Sequence, residues 1–338
     1  MNFFDINLDA LVAANLQRFA TNTNTTESNG LSAEMKTYYS DYLIDNAEPN
    51  MVHGQFGQTR GIPKHGGKTV EFRKYNPLPK ITASLQDGVT PDGQSLEVST
   101  VTATVKQYGG YVGLSDFVLT TAHDDQLVEA TELLGEQAGV SIDTVYREVL
   151  NGGTNSQIYD GTVGARNLLV GGAASGNHYL TVDCVRRAVR FLKKQNAKKI
   201  NGYYVGIIHP DCTYDLTSDP EWKAPHQYQD TTELYDGEIG RIAGVRFVET
   251  SEAKIFEGAG KDGRDVYSTL IIGKDAYGIT EIDGFGLKHI VKQLGSAGTA
   301  DPLDQRATAG WKYTGTTVRL VEQFMVRIET TSTFTAED

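Results

Sequence analysis

Cysteine is nearly absent: 338 residues hold only Cys184 and Cys212, too few for a disulfide framework and not in metal-ligand spacing. Such usage is compatible with a reducing compartment. No stretch approaches the roughly 20 apolar residues that a membrane helix needs, so no membrane partner is expected. Positive charge is also short. Lys and Arg number 31 against 43 Asp and Glu, giving a net charge of −12 and a pI near 5.1. Surfaces that grip nucleic acid are basic, because phosphate neutralisation drives the binding, so no specific nucleic-acid site is expected. The first 20 residues carry Asp5 and Asp9 and no basic cluster ahead of their apolar positions, so they do not read as a secretory leader.

Catalytic spacings are missing as well. His53, His65, His123, His178, His209, His226 and His289 form no His-x-x-x-His or His-x-Glu pattern of a zinc site. No Gly-x-Ser-x-Gly elbow anchors a nucleophile, although triad partners are remote in sequence and leave no spacing to read. Gly66-Gly67-Lys68-Thr69 looks like the end of a phosphate-binding loop. The first glycine of that motif is replaced by Ile62, however, Pro63 interrupts the loop, and Val70-Glu71-Phe72 continues as a strand where a helix is required. A hairpin turn is expected there. His209-Pro210-Asp211 reads as a strand-to-helix turn capped by Asp211. Catalytic, cofactor-binding and metal residues are therefore all expected to be none, and so is any cofactor.

Glycine is plentiful, with 36 residues against an average usage of about 7%. Two polar, glycine-punctuated arms stand out, one from Leu31 through His53 and one from Lys292 through Arg306. Such arms bury little alone and order against neighbouring copies, which points to an assembly subunit. Residues 1–20 read as an amphipathic segment and 21–30 as a low-complexity connector. A helix is expected at 32–46 with Ser32 as N-cap. From 55 to 111 the pattern turns to period two. Val70 and Phe72 alternate with Glu71 and Arg73, and Val101, Ala103 and Val105 with Thr102, Thr104 and Lys106. Pro77, Pro79, Gly88, Pro91 and Gly93 mark the turn-rich middle of this two-stranded excursion. Two strands alone are marginal in water, so the excursion needs something to lie on.

The strongest helix is expected at 124–151. Leu127, Thr131, Leu134, Ala138, Ile142, Val145 and Val149 form its stripe, Asp124 and Asp125 sit at the positive end of its dipole, and Asn151-Gly152-Gly153 suggests a glycine C-cap. Gly135 and Gly139 would admit a close neighbour. A second helix is expected at 182–196, with Val182, Val185, Val189 and Leu192 inside. Arg186, Arg187, Arg190, Lys193 and Lys194 form its outer face. In so acidic a chain that face reads as solvated or paired with acidic neighbours. Tyr203 to Ile208 reads as a buried strand, 211–235 as partly helical, and 237–249 as a glycine-spaced segment. Strands follow at 268–272 and 278–282, with a last alternating stretch at 317–328. No internal repeat is visible, and the element order suggests α+β.

Four segments in this order carry a family resemblance. They are the run Gly66 to Tyr75, the run Asp87-Gly88-Val89-Thr90-Pro91-Asp92-Gly93, the run Gly237 to Glu249, and Asp301-Pro302-Leu303-Asp304-Gln305. Across about 31–329 the chain resembles the major capsid proteins of tailed bacteriophages of the phage N-four type. The resemblance implies the Hong Kong 97 phage capsid fold and a layout in five parts. These are an N-terminal arm at 1–54, an extended loop at 55–111, a peripheral domain with spine helix at 112–179, an axial domain at 180–290 and a return to the peripheral domain at 291–338. It implies hexamers and pentamers in an icosahedral shell around double-stranded DNA, with scaffolding, portal and decoration proteins as partners. The location implied is the virion, with assembly in the host cytoplasm. A long cleaved scaffolding segment at the N-terminus, known in some capsid families, is not expected. The rival reading is a hydrolase or metal-dependent enzyme with an oligomerisation arm, which needs a pocket of convergent titratable groups.

Overall fold

The strands form three separate sheets in the computed structural model, which describes residues 43, 47, 51–75, 78–84, 87–88, 90, 92–121, 126–171, 176–222, 238–284, 286–296 and 301–334. The segment expected at 1–20, the connector at 21–30 and the helix at 32–46 with its Ser32 cap lie outside the described residues, except for helical, fully buried Leu43. Residues 124–125, at the expected start of the long helix, and 223–235 of the expected helical stretch also lie outside them.

The first sheet has five strands: β1 (Gln58–Ile62), β4 (Lys106–Ser115), β11 (Tyr277–Ile282), β12 (Lys288–Lys292) and β13 (Arg306–Arg319). β13 is its axis. β4 runs antiparallel along one edge of β13, β11 and β12 follow one another along the other edge, and β1 adds parallel to β11. This 14-residue strand has no counterpart among the strands expected from periodicity. The stretch expected at 317–328 is two strands in different sheets. β13 ends at Arg319, a 3-10 turn crosses over, and β14 (Met325–Thr330) joins the second sheet. The polar arm from Lys292 to Arg306 likewise begins and ends in the paired strands β12 and β13, and in it buried Asp301 accepts a hydrogen bond from Arg306 N at 2.8 Å.

The second sheet has the order β5 (Ser156–Ile158), β14, β10 (Val266–Ile272), β6 (Tyr204–Ile208), β8 (Val245–Glu249) and β7 (Glu238–Ile242), with β9 (Ile255–Phe256) pairing the start of β10. Both of its faces are covered. Val205, Ile207, Val248, Leu270 and Ile272 join one apolar cluster, and Tyr204, Ile208, Val245, Phe247 and Ile271 join the other. That is why β6 is buried along its whole length and shows no polar alternation. Gly206 is required there, since a Cβ would lie 2.6 Å from the Phe247 ring. The glycine-spaced run resolves into the β7–β8 hairpin, whose turn residues Ala243 and Gly244 both have positive φ. β2 (Thr69–Tyr75) and β3 (Val98–Thr104) form the third sheet. The Gly66-Gly67 turn therefore links two sheets and does not close a hairpin; Gly66 N donates to Pro63 O at 2.9 Å.

The α-helices whose bounds are described in full are α1 (Asp116–Thr121), α2 (Gln126–Asn151), α3 (Val182–Lys194) and α4 (Pro210–Ser218). The 26 residues of α2 span roughly 39 Å at 1.5 Å per residue. Its deepest stripe is Ala130, Leu134, Ala138, Ile142, Tyr146 and Leu150, one step round from the expected Val145 and Val149, and it packs with Ala309, Trp311 and Tyr313 of β13. Gly135 and Gly139 are buried in the same stripe. No glycine C-cap ends α2, because neither Gly152 nor Gly153 has a positive φ. Arginines from the sheets take the last carbonyls: Arg319 donates to Val149 O, and Arg327 to Asn151 O and Gly153 O. α3 buries Val182, Cys184, Val185, Ala188, Val189 and Leu192, as its spacing predicted. At α4 the cap is His209, whose Nδ1 accepts from Asp211 N at 3.2 Å, with Pro210 opening the helix. The expected capping by Asp211 is thus corrected.

Candidate assembly surface

β2 and β3 pair with each other from Thr69↔Thr104 to Tyr75↔Val98 and with no other strand among the described residues. Only the root of this hairpin is anchored. Phe72 and Ala103 are buried there, and the Phe72 ring lies 2.7 Å from where a Cβ on Gly278 would stand. Arg60 sits over the same ring at 5.4 Å and donates to Glu71 O at 3.1 Å. Outward from the root, every described residue from 78 to 100 is exposed. Four large apolar side chains stand in water there: Leu78 at 51%, Ile81 at 75%, Leu96 at 68% and Val98 at 47% exposure. Apolar side chains concentrated on a projecting element mark a contact surface.

A second exposed group lies on the face of the first sheet turned away from α2. Register places Tyr111, Gly310 and Ile290 side by side across β4, β13 and β12, and both flanking side chains are exposed. Gly310 lets them sit on a smooth floor, because a Cβ there would meet Gly110 O at 2.8 Å. Phe117 on α1 and Leu303 are exposed nearby in sequence.

Behind these surfaces the frame is cross-tied by polar groups far apart in the chain. His53 N donates to Asp143 Oδ1 at 2.7 Å and its Nδ1 lies 2.6 Å from Oδ2, with both residues buried. Tyr277 OH donates to His53 O at 2.5 Å, and Tyr313 OH donates to Glu281 Oε1 at 3.0 Å while bonding the Tyr146 hydroxyl. Burial pushes the pKa of all three tyrosines up, so they stay neutral hydrogen-bonding struts. Arg166 grips Glu329 with two bonds of 2.7 Å, and Arg327 adds a third at 2.8 Å. Burial alone would raise the Glu329 pKa, but the two guanidiniums outweigh it and hold the carboxyl below its ordinary value.

Among the described residues, the remaining histidines do not converge. His65 lies in the exposed turn before β2, and His178 Nδ1 accepts from Val170 N at 2.8 Å. His209 is a cap, and His289 is half-buried in β12, where burial lowers its pKa. His123 and His226 lie outside the described residues. Cys184 and Cys212 are free and buried, and burial raises both thiol pKa values, which leaves them poor nucleophiles. Among the described residues, no three His, Cys, Asp or Glu side chains cluster as metal ligands. No described helix is long and apolar enough to cross a membrane.

Residues 58–280 match the family described as phage capsid protein. The chain belongs to that family. The capsid fold recurs in solved phage shells of low sequence identity. The capsid of Ralstonia phage GP4 is 14% identical at a TM-score of 0.61, covering 82% of this chain and 87% of that one. The cyanophage Pam1 capsid is 15% identical at 0.60, covering 82% and 89%. The capsid of cyanophage P-SCSP1u is 14% identical at 0.59, covering 80% and 85%. No curated protein sequence matches the chain. The fold is the α+β Hong Kong 97 phage capsid fold, and the capsid protein is a shell-forming structural component of the virion. The hydrolase or metal-enzyme reading has no support.

Proposed function

We propose that the chain is a major capsid protein of the phage N-four type and closes as hexamers and pentamers into an icosahedral head around double-stranded DNA. In this reading residues 1–54 are the arm, 55–111 the extended loop, 112–179 the peripheral domain with α2 as spine, 180–290 the axial domain and 291–338 the return. Scaffolding and portal proteins guide assembly in the host cytoplasm, decoration proteins are further candidate partners, and no residue is catalytic. The observation that carries the reading is the hairpin, buried at Phe72 and Ala103 and exposed at every described residue from 78 to 100, Leu78, Ile81 and Leu96 among them. On a neighbouring subunit it gains the burial it lacks alone, and many such modest contacts add up through multivalency.

The test is a chain in which 78–94 is replaced by a short turn. The described residues of that stretch are all exposed, so circular dichroism and thermal melting of the free subunit stay close to wild type. Shells fail to form or are misshapen. Regular shells of normal stability from this variant overturn the assignment.

A further inference from the structure

The hairpin root and the body enclose a cleft of about 600 Å³, a size common among small-molecule sites. Phe72 and Val101 of the hairpin form one wall, and Leu320 and Phe324 of the body form the other. Four cations line it, Arg60, Arg73, Lys74 and Lys198, against one carboxylate, Asp275, in a chain whose net charge is −12. Little of that positive charge is neutralised within the subunit. Arg73 meets Glu71 only at 3.9 Å, with both side chains mostly exposed. Among the described residues, neither Lys74 nor Lys198 pairs with a carboxylate. Lys74 Nζ stands 5.8 Å from the centroid of the half-buried Phe324 ring, so a cation and an aromatic face sit side by side. Gln58, Gln195 and Asn196 bring side-chain amides to the same cleft. Asn196, just after α3, and Asp275, between β10 and β11, both have left-handed backbone, with φ of 54° and 60°.

We propose that this cleft binds a nucleotide, with its phosphates on the four cations, its base against Phe324 and the three amides at the base edge. Each part of the ligand answers a part of the site. Clustered guanidinium and ammonium groups suit a multiply charged phosphate. A bare phosphate would leave the apolar walls unused, whereas an aromatic side chain stacks any base. Side-chain amides carry both the donor and the acceptor that a base edge needs. The site requires no phosphate-binding loop. Its residues come from 58–74, 101, 195–198, 275 and 320–324, a dispersion that no local motif reveals. The proposal goes beyond the shell role and does not rest on it. Held between hairpin and body, the nucleotide ties the hairpin down in the free subunit.

The test is calorimetric titration of free full-length subunits with ATP in EDTA, so that the cations of the chain alone neutralise the phosphates. Saturable one-to-one binding is expected, with tripolyphosphate and adenosine each weaker by roughly tenfold or more. Lys74→Gln with Lys198→Gln weakens ATP roughly tenfold, and Phe324→Leu does the same while leaving tripolyphosphate unchanged. Lys292→Gln with Lys312→Gln, outside the cleft, has no effect. Amide exchange in Thr69–Tyr75 of the wild type slows on adding ATP. Absence of saturable binding, tripolyphosphate binding as tightly as ATP, or equal weakening by both lysine pairs overturns the proposal. So does displacement of ATP by duplex DNA at equal phosphate concentration, which makes a nucleic-acid backbone the occupant. The ligand comparison on the wild type stands even where a variant misfolds. Shell formation, scored by microscopy, reports separately on the capsid reading.

Discussion

Asp143 has no exposure, and both of its carboxylate oxygens are engaged by His53. A buried carboxylate is tolerated only when its acceptors are used, and loss of one partner leaves the other unsatisfied. Asp143→Leu is expected to cost roughly 3 kcal/mol in urea unfolding, as for a broken buried pair. A loss below about 1 kcal/mol would show that the pair is not a strut. Glu329 makes a pH prediction. Its pKa is held below the ordinary 4.5, so its contribution is fully present above that value and is lost as pH falls through the lower folded pKa. Acid unfolding followed by circular dichroism should show a steeper loss below pH 4.5 for the wild type than for Glu329→Gln. Parallel curves would contradict the arginine clamp.

Phe72 is to the hairpin what Asp143 is to α2. Its ring fills the space left by Gly278, so Phe72→Ala removes most of the contact tying β2 to the first sheet. The expected loss is about 3 kcal/mol. Amide exchange accelerates in Thr69–Tyr75 and Val98–Thr104 and is unchanged in Val266–Ile272. Equal acceleration in all three strands would mean that the hairpin is not an independent unit. Much of this element layer was legible in the sequence. The stripe of α3, the buried run of β6 and the paired alternations of β2 and β3 are local periodic patterns, and each formed nearly where expected. β13 was hidden because only Ala307, Ala309, Trp311 and Tyr313 face α2, while Thr308, Gly310 and Lys312 lie between them and give a polar, glycine-broken run. The end of α2 was misread because its carbonyls are taken by Arg319 and Arg327, roughly 170 residues away in the chain. His53 and Asp143 are 90 residues apart, a separation that spacing rules do not reach. The exposed tip was legible in part, since its prolines and glycines marked turns, but Leu78, Ile81 and Leu96 became a surface only once the fold left them uncovered.

At the scale of the molecule, charge and shape act together. An acidic subunit with no described metal cluster is suited to stand beside packaged DNA without adhering to it. Free subunits are therefore expected to bind duplex DNA weakly in a filter assay, with little change between low and moderate salt. Tight binding that collapses with salt would contradict that expectation. The central claim, that this chain builds a closed shell from many copies, is tested most directly by electron microscopy of the purified chain under assembly conditions, sized in parallel by chromatography. Large uniform shells, or hexamer and pentamer clusters on the way to them, are the predicted result. A small discrete oligomer that never closes, whatever the concentration or added scaffolding protein, would contradict the account.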